Sequence, residues 1–302
     1  MGLFKLQTPR LALTIAFLSL IVCMFVVAIV SIPLGLDPYK QDYIGLLSSQ
    51  IISSVVIFGG AVMISVVPMY GNIKRIQGNR PASAPSFLLA IMIILACEPL
   101  TEWAYYVNSM IVDTFDLHSI VKAEENVSEF TAKLIDFSSP TRIISTILVI
   151  VVLPAILEEA YFRGIVQKGM CKVLNNQNNI LAVLLSAAIF SLVHGETAMF
   201  LPRMILGIVL GALYVRTHNI WTCITAHAAN NLIAVITIAI ADTTVLEALQ
   251  NQPAENPGPL YPILSLIGTS LLLMFIRLTH THNTSKKISE RIRKSIDNDL
   301  FE

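Results

Sequence analysis

The chain has 302 residues, of which 55% are hydrophobic and only 13% charged, and its formal net charge is zero. Soluble domains carry roughly 25% charged residues, so the composition excludes an ordinary water-soluble fold and points to an integral membrane protein. A neutral balance gives no support to nucleic-acid binding. The cysteines, Cys23, Cys97, Cys171 and Cys223, lie scattered in apolar runs without metal-like spacing, which suits small buried hydrophobes and no disulfides.

Apolar runs long enough to cross a bilayer fall at about 11–34, 44–70, 85–110, 141–165, 180–200, 203–217, 220–241 and 259–277, against the roughly 20 residues a crossing needs. The expected fold is all-α: a polytopic membrane helix bundle of about eight transmembrane helices around an intramembrane catalytic cavity. The first run is too long for a signal-peptide core and lacks a small-residue cleavage site, so it is expected to remain as span 1. Span 3 carries Glu98 and Glu102, which share a helix face. Glu98 is a possible auxiliary acid, although a polar helix contact is the commoner role for such a residue.

The connection 111–140 is acidic, with Asp113, Asp116, Glu124, Glu125, Glu129 and Asp136, and is expected to hold a short surface helix and the acceptor sequon at Asn126. Pro140 marks the start of span 4. This span places Glu158 and Glu159 side by side, with Arg163 one turn after Glu159. Successive helical residues are rotated by about 100°, so the two carboxylates point in different directions. Glu159 shares a face with Arg163 and is expected to pair with it. Glu158 is left for another task, beside space that Pro154 would open by removing a backbone hydrogen bond.

Span 5 sets Phe190 one turn before His194, with the ring as an apolar wall for the imidazole. Span 6 carries Gly207 and Gly211, a small-xxx-small pair that allows close helix approach, and span 7 carries His227 and Asn231 at the same four-residue spacing. At about 1.5 Å of rise per residue, Glu158, His194, His227 and Asn231 fall in one layer near the middle of a roughly 30 Å hydrocarbon core. A hydrogen bond to a neighbouring backbone would account for one such histidine. Two histidines, a carboxylate and an amide at matched depth point to a site, because ionisable groups within a bilayer are costly.

The tail after span 8 repeats Ile288, Ile292, Ile296 and Leu300 among mixed charges, as an amphipathic surface helix would. Lys and Arg cluster before span 1, between spans 2 and 3, and after spans 4, 6 and 8, while the intervening loops lean acidic. Both termini are therefore expected in the cytoplasm, and the bacterial inner membrane is the expected location.

The three motifs, Glu158-Glu159-x-x-x-Arg163, Phe190-x-x-x-His194 and His227-x-x-x-Asn231, resemble those of the CPBP family of intramembrane endopeptidases. That family includes type II CAAX prenyl proteases and bacteriocin-processing or self-immunity proteins. The resemblance covers about residues 150–236 and implies a protease core at 141–241. Helices 1–3 and the acidic loop then occupy 1–140, and the last helix with its charged tail 242–302. It implies that Glu158 and His194 activate the attacking water, that His227 and Asn231 stabilise the oxyanion, and that Glu159 with Arg163 forms a supporting pair. The implied partner is a membrane-associated peptide or protein within the bilayer, such as a CAAX tail, a bacteriocin leader or another membrane protein, cut near the cytoplasmic leaflet. No cofactor is favoured; Zn2+ held by Glu158, His194 and His227 is the alternative. A proton-coupled transporter or a non-catalytic scaffold remains as the other class, disfavoured by the lack of an inverted repeat.

Overall fold

The computed structural model describes residues 8–31, 42–71, 76, 84–174, 179–240 and 256–276. These form helices α1 (Pro9–Ser31), α2 (Tyr43–Tyr70), α3 (Ala84–Thr114), α4 (His118–Leu134), α5 (Pro140–Val173), α6 (Asn179–Val193), α7 (Phe200–Thr217), α8 (Ile220–Ile240) and α9 (Leu260–Ile276), with no β-strand among the described residues. The expected all-α bundle is what the chain forms.

Six helices among the described residues are long and apolar enough to cross a membrane: α1, α2, α3, α5, α7 with its preceding turn, and α8. The fifth and eighth expected spans are present as the shorter apolar helices α6 and α9. Large apolar side chains such as Phe25, Ile29, Ile180 and Leu271 stand more than half exposed on the outside of the bundle, the arrangement a hydrocarbon solvent favours. The amphipathic tail, the loop 242–255 and most of the basic connection between spans 2 and 3 lie outside the described residues, as does the side chain of the sequon residue Asn126.

Helix ends follow from local chemistry. The side chain of Asp42 accepts from the Gly45 amide at 2.9 Å to start α2, and Ser139 caps α5 with Pro140 in the first turn. The acidic connection folds as α4, longer than the short surface helix expected. Within α5 the chain widens into π turns at Ile147–Val152 and Phe162–Gln167. The first lies just before Pro154, whose missing N–H cannot complete the regular ladder.

Close packing brings the site-bearing helices together. A Cβ added at Gly207 would lie 2.9 Å from the Cβ and 3.0 Å from the Cα of Ala187, and one at Gly211 would lie 2.9 Å from Gln167 Oε1. The two glycines therefore let α7 press its backbone onto α6 and α5, in the role expected of them. Tyr161, Phe162, Phe190 and Phe58 form an aromatic cluster beneath the site, with Phe162 and Phe190 edge to face at 5.0 Å.

Candidate active site

Glu158 and Glu159 sit in the middle of α5, both buried, and grip opposite edges of one imidazole. His227 Nδ1 donates to Glu159 Oε1 at 2.9 Å, while its Nε2 faces Glu158 Oε2 at 3.9 Å. The 100° rotation between neighbouring helical residues allows this, since the ring of His227 on α8 reaches between them. His194 comes to Glu158 from the third side: its Nε2 lies 3.5 Å from Glu158 Oε2.

The far nitrogen of each ring is occupied. His194 Nδ1 lies 2.7 Å from the carbonyl of Phe190. A carbonyl only accepts, so this nitrogen carries a proton, and Nε2 is the edge that faces Glu158. The carboxylate of Glu159 acts in the same way on His227. Glu158 Oε2 is itself buried without a hydrogen-bond partner among the described residues. A buried charged oxygen left unsatisfied is costly, and here it faces a cavity and two imidazoles.

Glu159 also meets Arg163, whose Nε lies 3.1 Å from Oε2. The groups are not aligned as a hydrogen bond, so the contact is an ion pair. Both residues are almost completely enclosed, at 0% and 1% exposure, which makes the pair structural in character. The guanidinium donates from Nη2 to the carbonyl of Gly207 at 3.1 Å and lies over the Phe190 ring at 5.2 Å. Phe190 thus holds both neighbours: its ring packs 4.7 Å from that of His194 and 5.8 Å from that of His227.

α6 ends at Val193, not near residue 200, because the chain reverses at Gly195, whose φ of +67° suits glycine. His194 is placed on this turn. Its irregular backbone is satisfied by two residues that sequence reasoning did not single out. Asn108 of α3 donates to the carbonyls of Thr197 and Ala198 and accepts from the amide of Leu201. Glu124 of α4 accepts from the amide and hydroxyl of Thr197 at 2.6 and 2.7 Å. An amide side chain buried in an apolar span was the available signal for Asn108; nothing local marks Glu124.

The site opens into a cavity of about 700 Å3 lined by Glu158, Phe190, His194, His227 and Asn231, within the range of small-ligand pockets. Asn231 is half-buried, and its Oδ1 lies 3.5 Å from Asn230 Nδ2. Glu98 lines the same cavity beside Glu102. All eight residues singled out in the sequence thus meet at one place, six in direct contact and Asn231 and Glu98 on the wall. Among the described residues no group of three or more His, Cys, Asp and Glu side chains is arranged to hold a metal ion.

Residues 140–233 match the family model described as type II CAAX prenyl endopeptidase, Rce1-like. The matched stretch contains all three motifs. It supports the CPBP/CAAX protease family. The matched stretch runs from the start of α5 into α8 and so spans the helices that carry the site. No curated protein and no solved structure matches the chain.

Proposed function

We propose that the protein hydrolyses a peptide bond of a membrane-associated polypeptide by metal-free activation of water between Glu158 and His194. The observation that carries this reading is the buried Oε2 of Glu158, without a hydrogen-bond partner among the described residues and 3.5 Å from His194 Nε2. A substrate water in the cavity beside them donates one hydrogen to Glu158 and the other to His194 Nε2. Glu158 takes the first proton as the water oxygen bonds to the scissile carbonyl carbon. The same proton then passes to the leaving amide nitrogen as the C–N bond breaks, which returns the carboxylate to its starting state.

The carbonyl oxygen becomes an oxyanion and needs donors. Asn231 supplies its amide N–H from the cavity wall, and His227 supplies Nε2–H as an imidazolium that takes its second proton from solvent through the cavity before the substrate binds and keeps it throughout the cycle. Glu159 on the opposite edge stabilises the resulting imidazolium, and Arg163 keeps Glu159 in place. Donors positioned before reaction are the largest single contribution to such catalysis. Zinc held by Glu158, His194 and His227 is the alternative, since the same two imidazole nitrogens face Glu158 Oε2 at 3.5 and 3.9 Å.

The test is turnover of a membrane-associated reporter peptide by purified protein. Glu158→Gln and His194→Ala are each expected to abolish cleavage while the circular dichroism spectrum and melting temperature stay close to the parent's, and His227→Ala to abolish cleavage with a lower melting temperature, because Glu159 loses its buried donor. Full activity in Glu158→Gln would sink the mechanism. The nature of the substrate, whether a CAAX-type tail, a bacteriocin leader or another membrane protein, is then sought by comparing peptides released in cells that carry the parent or Glu158→Gln.

A further inference from the structure

We infer that the active-site cavity opens on the extracytoplasmic side of the membrane and takes an apolar, extended polypeptide segment presented there. The part that names a substrate rests on the proposed peptidase reaction; the part that names a side does not. The sequence alone led to the opposite expectation, cleavage near the cytoplasmic leaflet.

The first observation is where the cavity wall lies along each helix. α3 lines it from Glu98 to Tyr105, in the second half of a helix that runs Ala84–Thr114. α7 lines it with Pro202, Arg203 and Leu206, all from its first half, and α8 from His227 onward to Ile238, two residues from its end. The start of α5 contributes Ile150, and Ile135 stands just before that helix. The bonds from Asn108 to the 197–201 turn put the end of α3 beside the start of α7. The bond from Thr146 to the carbonyl of Leu134 ties the start of α5 to the end of α4. Every lining segment therefore extends from the catalytic layer toward one and the same end of the bundle.

The second observation is the charge at the two ends. The end away from the cavity holds Arg10, Lys168, Lys172 and Arg216, with no Asp or Glu among the described residues there. In the sequence, Lys5 precedes α1, Lys74, Arg75 and Arg80 fall between α2 and α3, and a run of lysines and arginines follows residue 285. At the cavity end, Arg142 is bound to Asp136 and Arg203 to Glu196, and Lys122 and Lys133 of α4 stand among Asp42, Asp113, Asp116 and Glu124, so acids outnumber bases among the described residues there. Lys and Arg in short connections stay in the cytoplasm, so the basic end is inside and the cavity mouth is outside.

The walls say what chemistry enters. Ile135, Ile150, Leu206, Ile233 and Ile238 make them apolar, and Glu98 and Glu102 add negative charge on one side. An extended apolar stretch with a basic residue near the scissile bond suits this surface. The outward-facing juxtamembrane part of an anchored or exported polypeptide presents such a stretch; a prenylated tail in the cytoplasm meets the basic end, away from the cavity that holds Glu158 and His194.

Single cysteines introduced in an otherwise unaltered chain test the side of access. Tyr105→Cys at the cavity wall and Asp113→Cys at the exposed end of α3 should react with a charged, membrane-impermeant maleimide on intact cells to the same extent as after permeabilisation. Lys172→Cys should react only after permeabilisation, and the parent chain measures the background from its own four cysteines. The reverse pattern, or Tyr105→Cys that reacts only after permeabilisation while Lys172→Cys reacts before it, overturns the inference. If Asp113→Cys reacts on intact cells but Tyr105→Cys reacts in neither state, the cavity has no outer access and the inference also fails. Labelling needs no turnover, so a protein with outward access that cleaves no peptide would refute the peptidase reading alone. With cleavage established, sealed right-side-out vesicles should cut an added apolar peptide that inside-out vesicles leave intact.

Discussion

His227 lies between two carboxylates that are neighbours in the sequence, and this one ring explains why both are needed. Helical rotation alone made it legible that Glu158 and Glu159 have different tasks. The i,i+4 spacing made the Glu159–Arg163 pair legible as well. It could not reveal that Glu159 also holds His227, because that contact joins α5 to α8 across 68 positions of sequence. The consequence is testable. Arg163→Ala strands the Glu159 carboxylate in a closed interior and should cost about 3–5 kcal/mol, the usual loss for a broken buried pair. Glu159→Gln with Arg163→Met should recover part of that stability in thermal melts. Turnover should stay lost, since a neutral glutamine does not support a protonated His227. For Asn231→Ala, kcat should fall by about 10²–10³, the loss typical of one oxyanion donor, with KM little changed.

At the level of elements, the hydrophobic runs were legible and their ends were not. Span 5 was expected to reach residue 200 because Ala198, Met199, Phe200 and Leu201 continue the apolar run. The chain instead stops at Val193 and turns at Gly195, and the polar backbone so exposed is bonded by Asn108 and Glu124 from two other helices. Such tertiary partners leave no periodic trace. Asn108→Leu should leave the 197–201 turn unsatisfied, displace His194 and lower kcat more than KM, as seen by steady-state kinetics. The close approach of α6 and α7, by contrast, was readable from Gly207 and Gly211. A methyl at Gly207 would meet both side chain and backbone of Ala187, and the carbonyl of the same residue holds Arg163. Gly207→Ala should therefore cost about 1–3 kcal/mol through overpacking, measured as a lower denaturation midpoint. It should also reduce turnover by shifting the Arg163 anchor.

For the molecule as a whole, the site is the point where α5, α6 and α8 meet, so any ion bound there would join three helices and not merely assist a reaction. A metal bound to the folded state adds to its stability by mass action and is lost on chelation. The zinc alternative thus makes a coupled prediction: stripping the metal should lower the melting temperature and abolish activity together, and zinc should restore both. The glutamate reading makes the opposite one. After treatment with a chelator and desalting, the protein should melt at the same temperature and turn over the reporter at the same rate. Its metal content, measured by atomic emission, should bear no relation to activity across preparations. The ring nitrogens that face Glu158 are held at 3.5 and 3.9 Å with their far edges bonded to Phe190 and Glu159, which orients them for a water as readily as for an ion. Only the joint loss of melting temperature and turnover on chelation, both regained with zinc, would therefore transfer the chemistry from Glu158 to a metal.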